Sequence, residues 1–125
     1  MSSSQEPAAL AAPVRRFKDP GYAPVAATLG ELRQRIDSLD EQIVALLAQR
    51  ALCVRDAARF KRDALQVAAP ARQAQVFEKV RALAAPHDAS FPGLPDIVES
   101  AYRTLVAGFI AAEGRFFEDT ELIEP

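Results

Sequence analysis

The chain has 125 residues, half of them apolar and 26% charged, with a formal net charge of -2. That is one domain's worth of chain with enough apolar matter for a core, and its balance of charge leaves no field to draw in nucleic acid. A lone cysteine, Cys53, excludes an intrachain disulfide; His87 is the only histidine and no zinc spacing exists, so no metal is expected.

Residues 1–27 are rich in Ser, Ala and Pro, with a basic patch at Arg15, Arg16 and Lys18. This composition predicts a solvated, disordered tail. The segment AALAAPV is too short for a signal peptide and precedes its basic residues instead of following them. No apolar run reaches the length of a membrane span. A cytoplasmic protein is expected.

The next stretch organises the chain. From Thr28 to Asp63 it holds no Gly or Pro after Gly30, and apolar residues recur at Leu32, Ile36, Leu39, Ile43, Leu46, Leu47, Val54, Ala57 and Phe60. Steps of three and four predict one long amphipathic helix, started by a Thr28–Glu31 capping box and fading near Ala64. At 1.5 Å per residue it makes a rod of roughly 50 Å, longer than a compact domain of this size. Its apolar stripe needs other long helices to cover it, and a second copy of the chain is the expected source. Cys53 on this helix is expected to be a small buried hydrophobe.

Residues 64–69 read as a loop. Pro70 suits the first turn of a second, short helix with apolar positions Val76, Val80, Leu83 and Ala84. PHDASFPGLP is a second loop, in which His87 is expected to be solvated. Pro95 opens a third, medium helix carrying Ile97, Val98, Tyr102, Leu105, Val106, Phe109 and Ile110, with Phe116 and Phe117 as packing residues. ELIEP is an acidic frayed end. The plan is all-α: three helices, long, short and medium, within residues 28–118, flanked by tails at 1–27 and 119–125.

Arg50 and Lys61 stand eleven residues apart. On one helix they would differ by about 20° around the axis and roughly 16 Å along it. Val54 and Ala57 lie between them on the same stripe. Two cations over a shallow apolar floor suit a small dianion. Arg33 is seventeen residues before Arg50, roughly 25 Å away on a helix. If Arg33 takes part in the same site, it comes from another chain. Pairing with Asp37 on its own helix is the plainer role for it.

The stretch LRQRIDSLDEQIVALLAQR, the Lys eleven residues later, the Pro-Ala-Arg segment ending at Arg72 and the three-helix plan together resemble the all-α chorismate mutase family, which includes isochorismate pyruvate lyase. The resemblance covers about residues 28–118. It implies an intertwined helical homodimer with two shared active sites and no cofactor. By position, the partner's Arg33 with Arg50 and Arg72 would bind the two substrate carboxylates. Lys61 would face the ether oxygen. Gln73 falls where mutases carry a Glu that holds the ring hydroxyl, and Glu113 where many members carry a Gln that donates to the ether oxygen. The acidic loop residue of some mutases is missing, since the region reads QVAA.

The implied function is rearrangement of chorismate to prephenate in aromatic amino-acid biosynthesis, a pericyclic step that calls for no nucleophile and no metal. The alternative within the family is release of pyruvate and salicylate from isochorismate, toward which FK followed by AAPAR leans. An alternative of another class is a non-catalytic helical dimer that binds an aromatic-pathway partner; in it, Arg50 and Lys61 would be free to vary. The plain readings of Glu113 as a solvated helix-end charge and of Gln73 as a surface residue stand beside the assigned roles.

Overall fold

The computed structural model describes residues 6–123, and among them no strand occurs. The long, short and medium helices are α1 (Leu29–Ala57), α3 (Pro70–Ala84) and α4 (Leu94–Glu118). A single extra turn, α2 (Ala64–Ala68), sits where a loop was expected. No helix among the described residues is long and apolar enough to cross a membrane. The chain divides inside α1, between Ala48 and Gln49, into two units.

The first unit holds the N-terminal arm and the first part of α1. The capping box forms as expected: the Glu31 N–H donates to Thr28 Oγ1 at 3.2 Å, and the Ala27 N–H donates to Glu31 Oε2 at 3.0 Å. The arm turns at Asp19, whose Oδ1 accepts from the Gly21 N–H at 2.8 Å. Phe17 and Tyr22 meet across this turn with ring centroids 4.5 Å apart. On α1, Ile36, Leu39, Ile43, Val44 and Leu46 remain 51–63% exposed, and the helix has no buried residue. Its apolar stripe is therefore uncovered in a single chain.

The second unit begins with the end of α1. There the structure departs from the expectation of a helix continuing to about Ala64. The α-helix stops at Ala57, tightens into a 3-10 turn at Ala58–Phe60, and breaks at Lys61, which is extended (φ -102°, ψ 144°). The cause is local. Asp63 accepts from the Gln66 N–H at 2.9 Å, while Gln66 Oε1 accepts from the Arg62 N–H at 2.6 Å. This second capping arrangement starts α2 and competes with continuation of α1.

α3 lies against α4, and both α2 and the 58–60 turn pack onto α4. The buried apolar residues are Ala58, Val67, Val80, Ala84 and Val106. They are small, so the backbones approach closely. At one end Arg81 of α3 reaches Asp96 at 2.6 Å and Glu99 at 3.3 Å on α4, and Arg103 shares Glu99 at 3.0 Å. The hydrogen bond and charge of Asp96 raise the Arg81 pKa further above its already high ordinary value, so this brace keeps its cation at any working pH. Cys53 is exposed, contrary to expectation: it lies at the open cavity beside Arg50 and Val54 and is not packed into the core. His87 is exposed in a 3-10 turn.

Ala69, between α2 and α3, has φ +43° and ψ 60°. The left-handed conformation costs an L-residue with a Cβ about 1–2 kcal/mol. Ala69→Gly removes that strain against a smaller loss of chain entropy in the unfolded state, and is expected to raise stability by up to about 1 kcal/mol. Ala69→Val, β-branched, is expected to lower it. Urea midpoints at one fixed protein concentration check both signs.

Candidate functional site

The break at Lys61 aims its side chain away from the helical path. Lys61 Nζ donates to the Gln66 carbonyl at 2.9 Å and stands 3.4 Å from Glu113 Oε2. So Arg50 and Lys61 are not joined by the straight helical stripe that the eleven-residue spacing suggested. They meet instead across a cavity of about 290 Å³. One wall comes from α1, with Arg50, Val54 and Ala57. A second comes from the α2–α3 corner, with Ala69, Arg72 and Gln73. The third comes from α4, with Phe109 and Glu113.

Glu113 is only 5% exposed, seven residues beyond the buried Val106 on the same face of α4. The solvated helix-end reading of this residue therefore does not describe it. Its Oε2 has no hydrogen-bond partner, although Lys61 lies within ion-pair distance. The two observations agree once angle is considered: at 3.4 Å the ammonium is close but directed at Gln66. A buried carboxylate oxygen without a donor is costly, so this atom is free to take one.

Arg50 and Arg72 make no ion pair with a protein carboxylate among the described residues. The Arg50 guanidinium lies instead over two rings of α4, 5.1 Å from the Phe109 centroid and 5.9 Å from that of Tyr102. Such stacking fixes the plane and leaves the N–H edge open to a planar carboxylate. Gln73 Nε2 donates to the Ala68 carbonyl at 2.6 Å, tying the first turn of α3 to the end of α2.

The charges sum simply. Arg50, Lys61 and Arg72 face one carboxylate, Glu113, so the cavity carries an excess of two positive charges when Glu113 is ionised. That suits a small dianion. Seven of the eight residues singled out from sequence line this one cavity: Arg50, Val54, Ala57, Lys61, Arg72, Gln73 and Glu113. Arg33 does not. It belongs to the first unit, where its guanidinium pairs with Glu6 at 3.0 Å and not with Asp37.

Tyr102 and Phe109 were read only as apolar helix positions; their seven-residue spacing, two turns on one face, was the available sign of a shared ring platform. Gln66 was missed as well, though Asp63-x-x-Gln66 is a capping pattern.

Lys61 and Glu113 are both largely buried, so removing one strands the other. Lys61→Met is expected to cost about 3 kcal/mol, with a substantial part recovered when Glu113→Gln is added. A double-mutant cycle by urea unfolding at near-neutral pH should give a coupling of about 0.5–3 kcal/mol, and additive losses would mean that the two groups do not interact.

Residues 32–114 match the family model for chorismate mutase type II, a span that contains every cavity residue. No curated protein matches the chain.

Proposed function

The chain belongs to the chorismate mutase type II family, and from that premise we propose that it converts chorismate to prephenate in the cavity between Arg50, Lys61, Arg72 and Glu113. The observation that carries this reading is the grouping of three cations and one buried, partnerless carboxylate oxygen around a space sized for a single-ring dianion. Arg50 and Arg72 hold the carboxylates, each offering a planar fork to a planar acceptor. Clamped at both ends, the enolpyruvyl chain lies folded over the ring, close to the geometry in which it reacts.

In the rearrangement the ether C–O bond breaks as a C–C bond forms between the enolpyruvyl methylene and the ring. Electron density rises on the ether oxygen. The Lys61 ammonium donates to it there, in a site whose apolar floor of Val54 and Ala57 strengthens the interaction. Glu113 is the second donor when it carries its proton, since an ionised carboxylate has none to give. Gln73 stands at the ring hydroxyl.

The catalytic unit is a homodimer. The uncovered apolar stripe of α1 supports this, because a half-exposed row of Ile and Leu is stabilised by burial against a second copy. Arg33 of the partner then completes each site. Ala69-Pro70-Ala71-Arg72 favours a second reading, elimination of pyruvate from isochorismate by the same cations. Incubation of the pure protein with chorismate and, separately, isochorismate distinguishes them: prephenate identifies the mutase, salicylate with pyruvate the lyase. Turnover of neither overturns both.

Sites shared between chains have a direct test. Arg33→Ala and Arg50→Ala should each be nearly inactive alone, and mixing them under exchange conditions should restore activity through heterodimers with one intact site. No recovery on mixing, with exchange verified, rejects the contribution in trans.

Lys61→Ala should lower kcat by about 10²–10³, the usual loss for one transition-state donor. A change confined to KM would place Lys61 among the carboxylate-binding groups instead.

Glu113→Gln supplies a permanent N–H donor of the same shape. The variant is expected to turn over faster than wild type at neutral pH, because its amide donates where an ionised carboxylate cannot. An unchanged kcat would remove Glu113 from the reacting atoms.

A further inference from the structure

The N-terminal arm folds back onto the start of α1 at two points. The Ala9 carbonyl accepts from the Gly30 N–H at 2.9 Å, and Glu6 Oε2 accepts from Arg33 Nη2 at 3.0 Å. Gly30 and Arg33 are three residues apart, so they share one face of the helix. The fit at Gly30 is close. A Cβ there would stand 3.1 Å from the Ala9 oxygen and 3.3 Å from the Ala9 Cβ. Glycine thus opens the face on which the arm lies, and the arm brings a carboxylate to Arg33. The contact lies wholly in the first unit, so it travels with Arg33 whichever chain's cavity that arginine serves.

We propose that the arm is an internal competitor for the substrate: Glu6 occupies Arg33 with a carboxylate, and substrate must displace it before Arg33 can bind. The inference rests on the assignment of Arg33 to substrate binding. Three features favour competition over simple support of the arginine. First, a guanidinium already paired with Glu6 has lost the charge it would offer a dianion, and a retained Glu6 would repel that ligand. Second, the pair is readily broken, with side-chain exposures of 46% for Arg33 and 81% for Glu6. Exposed pairs of this kind contribute little and are screened by salt. Third, the arm gains no buried apolar anchor here. Leu10 and Val14, its nearest large apolar residues, are 86% and 95% exposed. Among the described residues, the 6–10 stretch of the arm is held to α1 by one backbone hydrogen bond and one ion pair, a hold weak enough for a substrate to release.

The test uses the full chain. Glu6→Gln should lower KM by about two- to fivefold, the equilibrium equivalent of one exposed ion pair, with kcat unchanged. Gly30→Ala should act in the same direction by crowding Ala9, and it improves local helix propensity, so it also guards against misfolding. On an Arg33→Ala background, Glu6→Gln should leave calorimetric binding of chorismate unchanged. The ratio of wild-type to variant KM should shrink toward one as ionic strength rises, which a structural role for the arm would not produce. An unchanged KM, or a raised one, overturns the proposal; a raised KM would make Glu6 a support for Arg33. Calorimetric binding of chorismate to the same proteins separates this from the functional reading. Tighter binding in Glu6→Gln without turnover in any protein would sink the catalytic reading and leave the competition standing. Equal binding in both proteins would sink the competition even in an active enzyme.

Discussion

The arrangement of the second unit depends on the point where α1 stops. Ala57 ends the α-helix, and the Asp63–Gln66 cap begins another turn only a few residues later. Lys61 is caught between them in an extended conformation, with its ammonium held by the Gln66 carbonyl and facing Glu113. Had the helix run on to Ala64, Lys61 would project from a helical stripe instead of closing one end of the cavity. The chain also could not turn back to set Arg72 and Gln73 opposite Arg50. One competition between two hydrogen-bonding patterns of the same short segment therefore decides where three of the polar groups stand.

That competition has a cost, and part of it is visible at Ala69. The left-handed residue lets α3 start immediately after α2, with Pro70 at its first position. Gln73 reinforces the corner by donating to the Ala68 carbonyl. The strained residue lines the cavity itself. Strain of this kind persists only where the surroundings over-determine it, and here the surroundings are a buried Val67 and the pairing of α2 with α4.

Charge is distributed with the same economy. Four arginines outside the cavity find carboxylates: Arg81 and Arg103 brace α3 to α4, Arg59 pairs with Asp56, and Arg33 pairs with Glu6. Inside it, Arg50 rests on aromatic faces, which orient a guanidinium without neutralising it. A carboxylate in place of Tyr102 or Phe109 would hold Arg50 as firmly but cancel the charge a dianion needs.

The helical periodicity of Leu32 through Ala57, the capping box at Thr28, and the prolines opening α3 and α4 were sufficient by themselves to determine an all-helical chain with long, short and medium members. They sufficed because a period of 3.6 and a cap are local properties of the backbone. The resemblance carried by Arg50, Lys61 and Arg72 was likewise enough to pick out cations that line one cavity. What periodicity could not settle was where α1 yields to the next turn. Helix continuation and the Asp63 cap are both locally favourable there, and only packing of Ala58 and Val67 onto α4 selects between them. The burial of Glu113, the ring platform beneath Arg50 and the seat of the arm on Gly30 are also tertiary facts. Each depends on which residues distant in sequence come within a few ångströms, and no local pattern of the chain encodes that distance.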